Sequence, residues 1–369
     1  MNFGQFLLTG VPGKQLDSET AARFKRIQPG GFILFGRNIE DQKPEDLRKL
    51  IDDLRDLCDI EPFITIDQEG GRVSRLRMLE GGQEPPNAQQ LREKGDLKLI
   101  KDHGQLTGEI LRLFGFNLDL CPVLDISYQN DETNSLRGRT WGMTAKETID
   151  NASVFNKAMR DQGILSSGKH FPGYSEAEVD PHHALPVINK TAEEMAEHEL
   201  LPFQALMPNL DSMMIGHAWY PCYDAERERW PASLSDKVIQ QLLRNQLGFD
   251  GLVMTDDLDM GAILNEVSFE DTIRLAIEAG NDLAMICHRL DMVEEAKGYI
   301  EKLPHPILDD ALRRIEVAKK KMASPKKWSM SEFERINAKI WDLRVATIGE
   351  ALAKIPSTED GARSPVELY

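Results

Sequence analysis

Eight short apolar runs of strand length recur along the 369-residue chain, and this recurrence is the feature that most constrains its fold. Each run is followed by a polar or glycine-containing loop and then by a segment with helical periodicity, such as Pro44 to Cys58. Apolar strands that alternate with amphipathic helices are typical of a parallel sheet covered by helices. The eight runs are Gln5 to Gly10, Gly30 to Gly36, Pro62 to Asp67, Asn117 to Asp125, Ile164 to His170, Ser212 to His217, Gly251 to Asp257 and Asp282 to Cys287.

Eight strand–helix units match an α/β fold of the (β/α)8 TIM-barrel type. A doubly wound sheet would more often have about five or six strands and a glycine-rich first turn. We expect one catalytic barrel domain over residues 1–305, a C-terminal helical extension over 306–356 that packs on the barrel, and a disordered tail over 357–369. Ser331 and Glu334 are predicted to form a capping box at the start of the last helix, 331–355.

The charge balance and the hydropathy pattern exclude several classes of protein. The chain has 44 Lys and Arg against 61 Asp and Glu, a formal charge of −17, which disfavours nucleic-acid binding. No run approaches the roughly 18 uncharged apolar residues that cross a bilayer, and the start carries no basic region ahead of an apolar one. We therefore expect a cytoplasmic protein that binds neither nucleic acid nor a membrane. Separately, we expect it to be a monomer.

Two arginine-bearing segments follow predicted strands. The sequence DQEGGRVSRLR, from Asp67 to Arg77, combines two carboxylates, two glycines and three arginines, which suit a ligand rich in hydroxyl groups. Later, Arg137 and Arg139 lie beside Trp141, and an arginine next to an aromatic ring can clamp a sugar. Both segments can also be read as surface turns with solvated charges, but barrel enzymes build their sites at the carboxyl ends of their strands.

The segment KHFPGYSEAEVDPHHALP is the most informative one for catalysis. It starts with Lys169 and His170 and, after a Pro-Gly break, reaches Asp180 and His182. Two residues apart in an extended loop, the Asp180 carboxylate can orient and charge the His182 imidazole, which suits proton transfer. A solvated loop is the alternative interpretation, and the gathering of four such residues in one segment favours function.

A third segment, GLVMTDDLDMGAI, places Asp256 at the tip of a strand, where a carboxylate can act as nucleophile, base or metal ligand. Asp257 or Asp259 behind it can instead cap the next helix. His217 and His288 end two other strands, and the sequence leaves open whether they are buried, hydrogen-bonded residues or catalytic ones.

In their order along the chain, these motifs resemble a family 3 glycoside hydrolase of the bacterial β-N-acetylhexosaminidase type. The resemblance covers roughly residues 4–300. It implies removal of terminal N-acetylglucosamine from muropeptide fragments during cell-wall recycling, without a metal or an organic cofactor. The matching stretches are GGFILFGRNI, ITIDQEGGRVSRL, NLDLCPVLDI, RTWG, KHFPG followed by DPH, MMIGHAWYP, PASLS, LLRNQLGFDGLVMTDDLDM and AGNDLAMIC.

The resemblance also implies a role for each site residue. Asp256 would be the nucleophile of a retaining mechanism, and His182, backed by Asp180, would be the acid/base. The residues that would bind the sugar are Asp67, Arg75, Arg139, Lys169 and His170.

The chain departs from the family pattern in the loop that carries the acid/base. Tyr174, Ser175 and Glu176 stand where the family usually has His-Gly-Asp, and Pro181 stands where it usually has Ser. Because a proline restricts the residue before it to extended conformations, Asp180 should be held more rigidly than usual. We predict that this loop moves between open and closed positions.

Four alternatives remain from the sequence. A broad β-glucosidase of the same family usually takes its acid/base from a second domain, for which this chain has too few residues after the barrel. A phosphorylase is possible because a histidine donor repels an anionic acceptor less than a carboxylate does. A metal-dependent amidohydrolase generally has H-x-H on its first strand, which QFLLTGV lacks. A catalytically inactive sugar-binding protein would lack the nucleophile or the dyad.

Overall fold

The fold is a closed barrel of eight parallel strands. It is given by a computed structural model, which describes residues 1–127, 135–174, 185–259, 263 and 267–357. The predicted TIM barrel is confirmed, and each of the eight apolar runs supplies one barrel strand. The barrel strands are β1 (Leu7–Gly10), β2 (Gly31–Leu34), β3 (Phe63–Ile66), β6 (Leu118–Asp119), β7 (Leu165–Phe171), β8 (Ser212–Ile215), β9 (Leu252–Asp257) and β10 (Leu283–Ile286), and a hairpin between β3 and β6 consists of β4 (Gln68–Gly70) and β5 (Val73–Ser74).

The ring closes between the first and the last strand. Leu8 of β1 lies opposite Gly31 of β2 on one side and opposite Met285 of β10 on the other. Every barrel strand therefore has two neighbours, and all carboxyl ends open on one face.

Helices surround the barrel, and several of them begin after a residue whose side chain caps free backbone N–H groups. Asp17, Asn87, Thr144 and Ser268 each accept a hydrogen bond from an N–H in the first turn of the helix they precede. No described helix combines the length and the apolar character that a membrane span requires. The helices are Ser18–Ile27, Gly36–Ile39, Pro44–Asp56, Ala88–Lys94, Leu97–Phe114, Ala145–Arg160, Ala192–Glu194, Met195–Glu199, Leu200–Leu206, Lys237–Gln246, Phe269–Glu278, Val293–Ile300, His305–Lys319, Met330–Ile348 and Glu350–Ala353.

The helix Met330–Ile348 starts and ends differently from the prediction. Its cap is Ser329, which accepts from the Glu332 N–H at 3.3 Å, so the capping box predicted at Ser331 and Glu334 is wrong. The helix ends at Gly349, whose φ of +82° interrupts the predicted 331–355 segment. The predicted disordered tail, 357–369, lies outside the described residues except for Ser357.

Candidate active site

A cavity of about 310 Å³ opens at the carboxyl ends of the strands. Its apolar part is lined by barrel side chains, among them Ile33, Leu120, Met214 and Met285. Among the described residues, no group of three or more His, Cys, Asp or Glu side chains is placed to hold a metal ion. Six of the eight predicted site residues line this one cavity: Asp67, Arg75, Arg139, Lys169, His170 and Asp256.

The other two predicted residues, Asp180 and His182, lie outside the described residues, as does the rest of the segment 175–184. The predicted movement of their loop concerns the same segment. Their relation to the cavity therefore stays a prediction.

Lys169 lies at the centre of a buried ion cluster on one wall of the cavity. Its Nζ is 2.7 Å from Oδ1 of Asp67 and 2.6 Å from Oε1 of Glu69. Arg139 donates to both carboxylate oxygens of Glu69, each at 2.8 Å. Burial alone would lower the pKa of Lys169, but the Asp67 and Glu69 carboxylates outweigh it and raise that pKa. Lys169 is therefore a fixed positive charge with hydrogen-bond donors beside the cavity.

Glu69 links the two cations of this cluster. Burial would raise the pKa of the Glu69 carboxyl, but Arg139 and Lys169 outweigh it and hold the pKa well below its usual range. Glu69 was not among the residues predicted to form the site. The available signal was its position two residues after Asp67, within the buried strand β4.

The hairpin β4–β5 places Arg75 at the cavity. Gln68 closes it, since its Nε2 donates to Oγ of Ser74 at 2.6 Å. Its turn needs Gly70, whose φ is +116° and where an added Cβ would lie 2.4 Å from the carbonyl oxygen of Pro86. Arg75 follows directly, is 2% exposed, and its Nη2 is 3.9 Å from Oδ2 of Asp67.

Two donors of Arg75 have no hydrogen-bond acceptor among the described residues. They are Nε and Nη2, both buried and both on a side chain that lines the cavity. A buried donor without an acceptor costs free energy, so an oxygen-rich ligand in the cavity would recover that loss.

His170 is oriented by Asp125, which ends the fourth apolar run and for which the sequence predicted no specific role. The Asp125 carboxylate accepts from Nδ1 of His170 at 2.8 Å and from its backbone N–H at 3.0 Å. It also accepts from the backbone N–H of Tyr174 at 2.6 Å. Because an ionised carboxylate only accepts, Nδ1 of His170 carries the proton.

Asp256, near the end of β9, lines the cavity together with Asp257 and Asp259. Its Oδ1 accepts from the backbone N–H of Asp257 at 2.8 Å. Oδ1 of Asp257 accepts from the backbone N–H groups of Asp259 and Cys287, and Oδ2 of Asp259 accepts from those of His288 and Arg289. The start of the helix that Asp257 or Asp259 was suggested to cap lies outside the described residues, so that suggestion stays a prediction.

Behind the ion cluster, buried His103 supports the backbone of Glu69. Its Nε2–H donates to the Glu69 carbonyl oxygen at 3.0 Å, and its ring packs on Phe155 with centroids 5.1 Å apart. Burial lowers the pKa of His103 from 6.5 to about 4. His103 therefore stays neutral at physiological pH and couples stability to pH.

Acid should destabilise the protein through His103. Below pH 6.5 the unfolded chain takes up a proton at this side chain, whereas the folded chain takes it up only near pH 4. Between pH 7 and pH 4 the free energy of unfolding of the wild type should therefore fall by up to about 3 kcal/mol more than that of His103→Phe. Urea denaturation at both pH values measures this difference. Replacement of the exposed His305 should leave it unchanged, and equal pH slopes for wild type and His103→Phe would contradict the prediction.

Comparison with known proteins gives concordant matches. Residues 2–318 match the model of the "Glycosyl hydrolase family 3 N terminal domain". A beta-hexosaminidase of Photobacterium profundum is 32% identical over 330 residues, which are 89% of this chain and 95% of that protein.

Solved structures are similar over nearly the whole chain. A glycoside hydrolase family 3 beta-N-acetylglucosaminidase from Paenibacillus sp. str. FPU-7 superimposes with a TM-score of 0.83 at 28% identity, over 93% of this chain and 68% of that one. Native NagZ from Neisseria gonorrhoeae has a TM-score of 0.78 at 26% identity, over 92% of this chain and 97% of that one.

Proposed function

Because this chain belongs to glycosyl hydrolase family 3 and is a glycoside hydrolase, we propose that it removes terminal β-linked N-acetylglucosamine from saccharides with retention of configuration. The observation that carries the proposal is the shared cavity. It places the carboxylate of Asp256 with the donors of Lys169, Arg75 and Arg139, groups that suit a sugar rich in hydroxyls. The names of the similar proteins, beta-hexosaminidase and beta-N-acetylglucosaminidase, support the choice of sugar.

The proposed reaction has two steps. In the first, an oxygen of Asp256 attacks the anomeric carbon while the glycosidic bond breaks, and the leaving oxygen takes a proton from His182. In the second, His182 removes a proton from water, which attacks the same carbon and breaks the ester to Asp256. Asp180 orients the imidazole. Lys169 and His170, with Asp67, Arg75 and Arg139, hold the sugar hydroxyls in place.

The proposal extends to the source of the substrate. Muropeptide fragments of the cell wall carry terminal β-linked N-acetylglucosamine and are the substrates that the family resemblance implies. A monomer acting in the cytoplasm, with no metal or organic cofactor, completes the proposal.

The experiment that tests the function compares nitrophenyl β-N-acetylglucosaminide with nitrophenyl β-glucoside. We expect kcat/KM to favour the acetamido sugar by at least about 100-fold, because a polar site fitted to an amide loses that pairing with a hydroxyl. The rate should be the same with and without phosphate. A preference for the plain glucoside, or dependence on phosphate, would overturn the substrate or the reaction class.

Replacing His182 by alanine tests the acid/base. The first step should slow by about 10²- to 10⁴-fold for a poor leaving group such as an unsubstituted phenol, because its departing oxygen is basic and needs a proton. With dinitrophenolate, a good leaving group, the first step should change little, and azide should restore turnover and give the β-glycosyl azide. The replacement His183→Ala serves as the matched control. An equal loss with both leaving groups would argue against His182 as the proton donor.

A further inference from the structure

Two strand-end histidines that the proposed reaction does not use, His217 and His288, both contact Asp257. Asp257 directly follows Asp256 and is 9% exposed. Nε2 of His288 is 3.2 Å from Oδ2 of Asp257, and Nε2 of His217 is 2.9 Å from the Asp257 carbonyl oxygen. One histidine thus holds the side chain and the other the backbone of the same residue.

The direction of the hydrogen bonds through His288 follows from Arg37. Nη1 of Arg37 is 2.9 Å from Nδ1 of His288, and a guanidinium can only donate. Nδ1 of His288 is therefore the acceptor, and the ring proton is on Nε2, directed at Asp257. Arg37 is itself fixed, since it donates to the carbonyl oxygens of Val11 at 2.8 Å and of Cys287 at 2.6 Å.

His217 has a defined tautomer for the same kind of reason. Because the Asp257 carbonyl oxygen only accepts, Nε2 of His217 carries the proton, and Nδ1 accepts from the Ser233 hydroxyl at 2.8 Å. The backbone N–H of His217 donates to the hydroxyl of Tyr174. The side chain and the backbone carbonyl of Asp257 therefore each face a ring N–H of defined orientation.

Asp257 passes this constraint to Asp256. Its carboxylate also accepts from the backbone N–H of Cys287 at 3.2 Å, and its own backbone N–H donates to Oδ1 of Asp256 at 2.8 Å. We infer that His288 and His217 are positioning residues, which set the orientation of the Asp256 carboxylate through Asp257. This inference rests on the proposed role of Asp256 as nucleophile.

A carboxylate nucleophile gains rate from such positioning. The N–H of Asp257 fixes one oxygen of Asp256, and the plane of the carboxylate then determines the line of attack on the anomeric carbon. Misplacement by about 1 Å can cost about 100-fold in rate. Sugar binding does not depend on that orientation, so positioning should affect kcat rather than affinity.

The test compares His288→Leu with His288→Gln. Leucine removes both ring nitrogens, and we expect kcat to fall by about 10- to 100-fold while KM and the inhibition constant of N-acetylglucosamine stay within about 3-fold. Glutamine can accept from Arg37 and donate to Asp257, so it should restore most of kcat. Replacing the exposed His305 by leucine controls for loss of a histidine.

A second measurement separates positioning of Asp256 from general damage. In Asp256→Gly, azide replaces the missing carboxylate as the attacking group, so adding His288→Leu to this variant should not lower the azide-dependent rate. A loss of azide-dependent rate equal to the loss in the single variant would overturn the inference, as would unchanged kcat in His288→Leu. Failure of the proposed function gives a different result, namely substantial turnover by Asp256→Gly without azide.

Discussion

Replacing Asp256 by glycine is expected to lower kcat for nitrophenyl β-N-acetylglucosaminide by at least about 10³-fold, because the covalent step loses its attacking atom. Sugar binding should persist, since the ion cluster around Lys169 remains. Added azide should attack the anomeric carbon from the face that the carboxylate occupied and give the α-glycosyl azide. Kinetics and NMR assignment of the azide anomer measure both effects.

Two results bear on this prediction. Replacing the exposed Asp309 by glycine should leave kcat unchanged, as expected for a carboxylate that does not line the cavity. Near-normal turnover by Asp256→Gly, or a β-azide as the product, would contradict the role of Asp256.

Replacing Lys169 by methionine is expected to cost both stability and substrate affinity. Lys169 is 2% exposed and contacts both Asp67 and Glu69, so its removal leaves two buried carboxylates with less compensating charge. The free energy of unfolding should fall by about 3–5 kcal/mol. We also expect kcat/KM to fall by at least about 100-fold, since Asp67 and Arg139 would no longer be held at the sugar.

A buried ion cluster at the other end of the barrel provides the control. Asp282, which directly precedes β10, pairs with two arginines. Its Oδ1 is 2.8 Å from Nε of Arg314, and its Oδ2 is 2.9 Å from Nη2 of Arg244. Arg314→Met should lose comparable stability but retain kcat/KM at temperatures where it is folded. If Lys169→Met kept kcat/KM while losing stability, the cluster would be structural and not part of sugar binding.

The barrel could be predicted from the sequence because its signal is local. Each run such as Phe63–Ile66 is apolar, short and followed by a helical pattern, and the repetition itself specifies the architecture. The strand-end positions of Asp67, Lys169 and Asp256 followed from the same pattern, since all carboxyl ends of a barrel share one face.

The partners of these residues could not be predicted, because they depend on distances across the barrel. Lys169 pairs with Asp67, which lies 102 positions away in sequence, and no periodicity specifies that contact. Asp125 carried no sign that it orients His170. The contacts of Asp257 and Asp259 with the N–H groups of Cys287 and His288 after β10 likewise join residues about 30 positions apart. The cap at Ser329 was missed because the prediction chose the second of two serines, Ser331.

Pairing between β1 and β10 has a consequence for synthesis on the ribosome. Leu8 of β1 can pair with Met285 of β10 only after most of the chain has been translated. Strand β1 therefore leaves the ribosome long before its hydrogen bonds to β10 can form. Any product that terminates before β10 keeps two open sheet edges, which are templates for pairing with other chains. Premature termination should therefore yield aggregates or proteolytic fragments, not a smaller working enzyme.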